Sequence, residues 1–161
     1  MLLGIISDTH GHRESTQAAT RMLDSLQVEQ VLHCGDIGSV EIIPLLAAWP
    51  THFVFGNVDD QRDELRASIE TAGQTCHGRY GELEIADRQI ALLHSDDRRR
   101  WRETIDSQRF DLVCYGHTHQ AEQHMQGRTL VLNPGAIHRA SPHTIAVVDL
   151  ATMLAMIVAY E

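Results

Sequence analysis

Short apolar runs alternate with amphipathic segments in the first third of the chain. Residues 2–7 are almost entirely apolar and predict a buried strand, and residues 14–26 carry alanine, methionine and leucine at helical spacing. Two more short strands are predicted at 31–34 and 52–55, with a second helix at 40–49 between them. Strand–helix–strand alternation of this kind predicts parallel pairing and an α/β layer structure.

The remainder of the chain has a stronger strand signal. A hairpin is predicted where the apolar stretches 83–85 and 90–93 flank the polar turn 86–89. A helix is predicted over 101–110, followed by a buried strand over 112–115. Three later strands, separated by glycine and proline turns, are predicted over residues 129–132, 144–149 and 153–160. We therefore expect residues 1–161 to form a single domain, a β-rich sandwich with helices outside.

Composition narrows the class of protein. A chain of 161 residues with 43% apolar residues suits one water-soluble domain with a core of its own. Three cysteines without a C-x-x-C pair argue against a disulfide framework and indicate a reducing cytoplasm. No apolar run approaches the roughly 20 residues of a membrane span. A net charge of −9 disfavours a strong nucleic-acid-binding surface, so a phosphate-bearing substrate would need local positive charge.

Candidate metal ligands follow five of the predicted strands. In open α/β sheets, the edge beyond the carboxyl ends of the strands is where ligands bind. Carboxylate, amide and imidazole side chains lie just past these ends, and agreement at five places is improbable by chance. In chain order the candidates are Asp8, His10, Asp36, Asn57, His94, His117 and His119.

The residue types indicate the kind of site. In extended backbone, residues i and i+2 point the same way, so we expect Asp8 with His10, and His117 with His119, to converge in pairs. Oxygen and imidazole donors without a thiolate suit Mn²⁺, Fe²⁺, Zn²⁺ or Ni²⁺ rather than a structural zinc site. Seven ligands suit two ions if one carboxylate bridges them. Two divalent ions and two aspartate carboxylates would leave the pocket with a net charge of roughly +2, which is enough to attract phosphate.

Most of these motifs have an ordinary structural explanation when taken singly. Gly35-Asp36 and Gly56-Asn57 are common turn dipeptides, and a lone His94 is more commonly a half-buried histidine with its hydrogen bonds satisfied. Gly116-His117-Thr118-His119 is the most distinctive motif, because two histidines separated by one residue are uncommon outside metal sites. The joint pattern, in order and at strand ends, favours a metal site.

The series Asp-x-His, Gly-Asp, Gly-Asn, His and Gly-His-Thr-His resembles the calcineurin-like metallophosphoesterases over nearly the whole chain. The short length and the motif Gly56-Asn57-Val58-Asp59 resemble the small bacterial and archaeal phosphodiesterase branch. Asn133-Pro134-Gly135-Ala136 is similar to a late turn of the family, and the retromer subunit of the same fold is a relative. The resemblance implies an α/β fold built as a four-layer α-β-β-α sandwich of the metallophosphoesterase type.

The resemblance also implies how a dinuclear metal centre would divide its ligands, with Asp36 bridging. One ion would take Asp8, His10, Asp36 and His119, and the other would take Asp36, Asn57, His94 and His117. Manganese is the ion we expect, with iron, nickel, zinc and magnesium as alternatives. Water or hydroxide bridging the two ions would attack phosphorus, and Asn57 would help hold the non-bridging oxygens.

Two positions depart from the family pattern. Val58 stands where many members carry a histidine that protonates the leaving group, so poorly activated leaving groups should react slowly. Ser95 follows His94 where the family has glycine, and a serine fits there if the backbone angle is ordinary.

Two side chains are candidates for a role beside the metals. His12 could face the pocket as a proton donor or phosphate contact, or it could be a solvated residue before the first helix. Arg98 begins the run Arg98-Arg99-Arg100-Trp101-Arg102, which could wall an anionic-substrate pocket. We favour the alternative, a solvated helix face preceded by Asp96 and Asp97.

Three functions are compatible with these features. The first is a hydrolase, a metal-dependent phosphodiesterase acting on a small diester, a cyclic or dinucleotide phosphate, or a nucleic-acid end. The alternatives are a phosphomonoesterase and a non-catalytic protein-interaction scaffold of the same fold. Scaffold relatives lose metal ligands, whereas all seven positions are filled here, which favours catalysis. The sequence leaves open the substrate, the native metal and whether the chain forms a homo-oligomer.

Overall fold

Two β-sheets form the centre of the computed structural model, which describes residues 1–160. The first sheet has six strands in the order β11-β10-β1-β2-β3-β4. Strands β1 to β4 run parallel, while β10 pairs antiparallel with both β1 and β11. The bounds are Leu2–Ile6 for β1, Gln30–His33 for β2, Thr51–Phe53 for β3, Thr75–Cys76 for β4, His143–Asp149 for β10 and Leu154–Tyr160 for β11.

The second sheet has five strands in the order β5-β6-β7-β9-β8. The predicted hairpin is present as β5 and β6, and strands β6, β7 and β9 are parallel to one another. The bounds are Tyr80–Ile85 for β5, Arg88–Leu93 for β6, Leu112–Cys114 for β7, Glu122–Gln126 for β8 and Thr129–Asn133 for β9.

Helices cover the outer faces of both sheets. Helix α1 spans Arg13–Ser25, α2 spans Arg62–Thr71 and α3 spans Arg98–Asp106. The segment predicted as a helix over 40–49 is instead a 3₁₀ helix over Val40–Leu46. Pro44 lies inside it, and a proline has no N–H to donate and would clash with the carbonyl four residues earlier in an α-helix.

Three clusters of buried apolar side chains separate four layers. One lies between the first sheet and α1, α2 and the 3₁₀ helix, and includes Leu23 and Phe53. The second joins the inner faces of the two sheets, where Ile5 and Leu92 are fully buried. The third packs α3 against the second sheet through Ile105. This order confirms the predicted α/β class and α-β-β-α layering.

Some elements were missed or misplaced by the sequence pattern. Strand β8 was not predicted, because all five of its residues are exposed and carry no apolar alternation. Helix α2 and the two-residue strand β4 were also missed. The third helix begins at Arg98 rather than at residue 101, and it ends at Asp106. Over residues 1–160, no helix is both long and apolar enough to cross a membrane.

Candidate metal centre

The predicted ligands come together where the loops after five parallel strands meet. Asp8 follows β1, Asp36 follows β2, Asn57 follows β3, His94 follows β6 and His117 follows β7. Because the two sheets pack face to face, the loops of one lie opposite those of the other. Asp8, Asp36 and His94 are buried, whereas Asn57 and His117 are exposed. The site therefore has a buried floor and an open side.

One group of donor atoms consists of Asp8, His10 and His119. Oδ1 of Asp8 lies 3.1 Å from Nε2 of His119 and 3.7 Å from Nε2 of His10. The two imidazole Nε2 atoms are 3.2 Å apart. His119 donates its Nδ1–H to the carbonyl of Arg139 at 3.3 Å, so its Nε2 lone pair faces the carboxylate. These three atoms could hold one metal ion.

A second group surrounds His94. Its Nε2 lies 3.2 Å from Oδ1 of Asp36 and 3.2 Å from Oδ1 of Asn57. Oδ1 of Asn57 also lies 2.9 Å from Nδ1 of His117. His94 donates Nδ1–H to the carbonyl of Cys34 at 2.8 Å, which fixes the direction of the ring. Donor atoms of Asp8, Asp36 and His94 converge closely enough to hold an ion.

Asp36 lies between the two groups. Its Oδ1 faces His94, while its Oδ2 lies 3.8 Å from Nε2 of His10. The backbone N–H of Val58 donates to Oδ1 at 3.1 Å and holds the carboxylate in place. Asp36 therefore lies within reach of both groups of donor atoms.

The donor set fits a cation. Oδ1 of Asp8 is buried and has no hydrogen-bond partner among the described residues, although two imidazole nitrogens approach it. Its other oxygen accepts hydrogen bonds from Ser7 and from the backbone of His117. A buried carboxylate oxygen without a donor is unfavourable, and a divalent ion at the point where these atoms converge would satisfy it. Imidazole and carboxylate donors suit first-row transition metals.

The electrostatics of the site also favour a cation. Burial acts to raise the pKa of Asp36, but the hydrogen bond with His94 and the nearby imidazoles outweigh it, and the pKa lies below its ordinary value. Burial acts to lower the pKa of His94, yet the hydrogen bond with Asp36 and the charge of Asp8 raise it. Burial lowers the pKa of His10. An ionised Asp36 beside a largely neutral His10 places negative charge on the His10 side of the site, which a metal ion there would neutralise.

The backbone at the ligands differs from the extended conformation that the sequence predicted. Asp8 and His10 converge as expected, but not through extended backbone, because the chain turns sharply at both. His117 and His119 do not converge as a pair, since His117 contacts Asn57 and His119 contacts Asp8. Left-handed φ angles, which are unfavourable for non-glycine residues, are concentrated at functional sites. They occur at Asp8 (56°), His10 (46°), Asp36 (55°), His117 (74°) and His119 (58°).

Ser95, next to His94, also has a left-handed φ of 78°. The condition under which a serine fits there, an ordinary backbone angle, is therefore not met. The hydroxyl of Ser95 donates to the carbonyl of Gly116 at 3.2 Å, which ties the loop after β6 to the loop after β7. This hydrogen bond compensates in part for the strained angle that a glycine would adopt freely.

Two buried polar residues support the ligand loops and were not assigned a role from sequence. Asp59 accepts hydrogen bonds from the N–H groups of Gly56 and Gly38, each at 2.8 Å, and so joins the loops after β3 and β2. His33 is fully buried beneath the site. Its Nδ1 accepts from the N–H of Gly35 at 3.2 Å. The only sequence signal for Asp59 is its place in the Gly-Asn-Val-Asp motif.

His12 and Arg98, the candidates for a role beside a metal site, have different surroundings. His12 caps helix α1, because its Nδ1 accepts the backbone N–H of Ser15 at 3.2 Å. Its ring stacks on His138 with 4.1 Å between centroids. Arg98 is exposed at the first turn of α3, where it lines a cavity that also contains His117. Cap formation accounts for His12, while Arg98 shares a cavity with the candidate ligand His117.

Comparison with known proteins leads to the same family that the motifs resemble. The profile of the calcineurin-like phosphoesterase superfamily domain matches residues 1–153. The chain is 30% identical over 138 residues to a phosphodiesterase of Methanocaldococcus jannaschii, covering 84% of this chain and 83% of that protein. It is 31% identical over 140 residues to a probable metallophosphoesterase of Bacillus subtilis, covering 83% and 73%.

Solved structures extend the comparison to the fold. A structure described as a novel archaeal phosphodiesterase superposes with a TM-score of 0.92 at 26% identity, covering 99% of this chain and 100% of that one. Vacuolar protein sorting 29 from Cryptosporidium parvum superposes with a TM-score of 0.69 at 19% identity, covering 99% and 96%. The second likeness concerns the fold alone.

Proposed function

The chain belongs to the calcineurin-like phosphoesterase superfamily, as its motifs predicted, and on that premise we propose that it is a dinuclear metal-dependent phosphodiesterase. The observation that carries the proposal is the position of Asp36, whose two carboxylate oxygens face His94 on one side and His10 on the other. The phosphodiesterase of Methanocaldococcus jannaschii, 30% identical over most of both chains, supports the diester as substrate.

In the proposed site, the ligands divide around Asp36. One ion is held by Asp8, His10, Asp36 and His119, and the other by Asp36, Asn57, His94 and His117. When bound, two divalent ions, Mn²⁺ in our proposal, supply Lewis acidity that activates water and neutralises phosphate charge.

The protein contributes orientation and hydrogen bonding. His94 and His119 each donate Nδ1–H to a backbone carbonyl, which directs their Nε2 lone pairs into the site. Oδ1 of Asn57 faces His94 and His117, so its exposed amide nitrogen is left to donate to a non-bridging oxygen of the substrate. Val58 follows at the open side and offers no proton, so esters with activated leaving groups should react fastest.

A phosphomonoesterase and a scaffold are the alternatives. Vacuolar protein sorting 29 shares the fold at 19% identity, and a docking surface needs no converging set of carboxylates and imidazoles. The unpartnered Oδ1 of Asp8 is accounted for by a metal site, which a docking surface does not require. We also place the protein in the cytoplasm, because Cys34, Cys76 and Cys114 are unpaired thiols.

The test is hydrolysis of bis-p-nitrophenyl phosphate beside p-nitrophenyl phosphate, with Mn²⁺ and with a chelator. Manganese-dependent turnover of the diester over the monoester is the expected result, and preference for the monoester would favour a phosphatase. Asp36→Asn should lower turnover roughly a hundredfold or more, because it removes the charge shared by both ion sites, while circular dichroism stays unchanged. A protein that binds two metals but hydrolyses neither ester would be a scaffold.

A further inference from the structure

Two cavities open on either side of the segment that follows His94. The Tyr80 cavity has a volume of about 380 Å³ and is lined by Tyr80, Arg79, Asp96 and Arg100, together with His94 and Ser95. The Trp101 cavity has a volume of about 290 Å³ and is lined by Trp101, Arg98, Arg102 and Tyr115, together with His117 and Ser95. Ser95 forms part of the wall of both.

The two cavities meet at the candidate metal centre. His94 lines one and His117 lines the other, and their ring centroids are 5.2 Å apart. Oδ1 of Asn57 contacts both rings, at 3.2 Å and 2.9 Å. A phosphorus atom held beside Asn57 would therefore have one cavity on each side. A phosphodiester carries two organic groups, whereas a monoester carries one.

Helix α3 supplies positive charge to both cavities from its first turn. Successive helical residues are rotated by about 100°, so Arg98 and Arg100 leave the helix on different sides. Arg98 lines the Trp101 cavity and Arg100 lines the Tyr80 cavity. Arg99 lines neither of them and pairs with Glu103 at 2.8 Å, fully exposed. The solvated helix face that we favoured from sequence therefore describes Arg99 but not its two neighbours.

The arginines stand where a helix disfavours cations. The first turn of α3 has no acidic residue, and positive side chains there oppose the helix dipole. Asp97, the N-cap, accepts the N–H of Arg100 at 3.1 Å, and the acidic side chains Asp96 and Glu122 line the cavities beside Arg100 and Arg98. In a chain with a net charge of −9, this concentration of arginine beside the site is well suited to an anionic ligand.

The linings differ in chemistry. In the Trp101 cavity, the Trp101 ring lies 5.7 Å from the buried Tyr115 ring at 66°. Arg98 and Arg102 line the cavity beside them, together with Glu122, which accepts a hydrogen bond from the Tyr115 hydroxyl. Such a lining suits a planar aromatic group, through stacking and cation–π contacts. In the Tyr80 cavity, Arg100 lies 5.0 Å above the Tyr80 ring and Arg79 pairs with Asp96. This lining suits a polar, hydroxyl-bearing group.

We propose that the Trp101 cavity and the Tyr80 cavity bind the two organic groups of a small phosphodiester, with a planar aromatic ring in the first and a polar group in the second. A nucleotide-derived diester has this chemistry. Volumes of about 380 and 290 Å³ lie at the lower end of the range of small-ligand pockets. The inference rests on the phosphodiesterase activity proposed above and adds the class of diester.

The test compares two esters with the same leaving group on the Mn²⁺-loaded protein. Methyl p-nitrophenyl phosphate has one large group, whereas thymidine 5′-(p-nitrophenyl phosphate) has two. Arg98→Ala and Arg100→Ala should each lower kcat/KM for the thymidine ester about tenfold. For the methyl ester, only Arg98→Ala should do so, because the nitrophenyl ring occupies the Trp101 cavity. Arg99→Ala is the matched control from the same helical turn and should leave both values unchanged.

The experiment distinguishes an error in the two-cavity proposal from an error in the phosphodiesterase proposal. If the unsubstituted protein hydrolyses neither ester with Mn²⁺, the phosphodiesterase proposal itself is wrong. If it hydrolyses both, but Arg98→Ala and Arg100→Ala behave like Arg99→Ala, the two-cavity proposal is overturned and the activity stands. Equal losses of kcat/KM for both variants with both esters would also overturn the two-cavity proposal. The arginines would then contact the phosphate rather than its substituents.

Discussion

Gly56 lies against Asp36 so closely that no side chain fits between them. A Cβ atom on Gly56 would stand 2.5 Å from the backbone nitrogen of Asp36 and inside van der Waals contact with its carboxylate. The φ angle of Gly56 is not left-handed, so the glycine is required by this close approach and not by its backbone conformation. The loops after β2 and β3 can pack together at Asp36 only because residue 56 has no side chain.

Gly56→Ala should therefore weaken metal binding. The methyl group displaces Asp36, and we expect Mn²⁺ affinity to fall roughly 10–100-fold and stability to fall by about 1–3 kcal/mol. Gly73→Ala is the control, because a Cβ there meets nothing within 4 Å although its φ of +73° is left-handed. Gly73→Ala should lower the free energy of unfolding by about 1–2 kcal/mol and leave the Mn²⁺ affinity unchanged in titration calorimetry. Equal affinities for the two variants would contradict this account of Gly56.

Asp59 should be important for stability although it is not a ligand. It is buried and accepts the N–H groups of Gly56 and Gly38. Asp59→Ala leaves both N–H groups without a partner and should cost about 2–4 kcal/mol in urea unfolding, whereas Asp59→Asn keeps one acceptor oxygen and should cost less. Asp60→Ala, at the exposed neighbouring position, should have a free energy of unfolding within about 0.5 kcal/mol of that of the parent protein. A loss at Asp60 as large as at Asp59 would refute the role of these hydrogen bonds.

The sequence predicted the layers and the position of the site because both depend on apolar patterning. Strands such as β1 and β7 are buried and read as apolar runs, and a polar residue just past each run marks the sheet edge. Strand β8 is fully exposed, so the same reasoning could not find it. It forms because β9 offers it an antiparallel edge, which is a tertiary effect.

Backbone angles and buried supports could not be predicted in this way. Nothing in the identity of Asp8 or Ser95 signals a left-handed φ, since residue type only makes that angle more or less costly. His33 lies in an apolar run and its burial is consistent with that run, but its hydrogen bonds depend on loops that meet only in the folded chain. These contacts depend on how the loops that carry Thr9 and Gly35 pack at the end of β2.

Metal binding should stabilise the folded protein, independently of turnover. Without a cation, Oδ1 of Asp8 has no hydrogen-bond partner among the described residues. Mn²⁺ at a hundred times its Kd should add about 2.7 kcal/mol to the free energy of unfolding, and a chelator should remove that gain. Asp8→Asn should lose most of this gain in calorimetric scans, while Asp106→Asn, at the exposed end of α3, should keep it. Equal Mn²⁺ effects on the two variants would show that Asp8 is not a ligand.

His33 is expected to make stability depend on pH. It is fully buried, its Nε2–H donates to Oγ1 of Thr9 at 3.0 Å and its Nδ1 accepts the N–H of Gly35, so the neutral ring satisfies both contacts. Burial, with a smaller effect of the charge on His94, lowers the pKa of His33 from 6.5 to about 3. Between these two values the unfolded chain binds a proton that the folded chain excludes. Stability should therefore fall as pH decreases from about 6.5 towards 3, by at most about 1.4 kcal/mol per pH unit from this residue.

The measurement is urea unfolding between pH 7.5 and pH 4.5 with a chelator present, so that metal release does not contribute. His52, whose pKa is lowered to about 4 by burial and by His77, adds a slope of the same sign. His33→Gln should be less stable than the parent protein at pH 7.5 but should lose less stability on acidification. His124→Gln, at an exposed position on β8, should keep the parent slope. If His33→Gln also kept that slope, the buried ring would have to take up its proton without disrupting the fold, and the contacts with Thr9 and Gly35 would not require the neutral form.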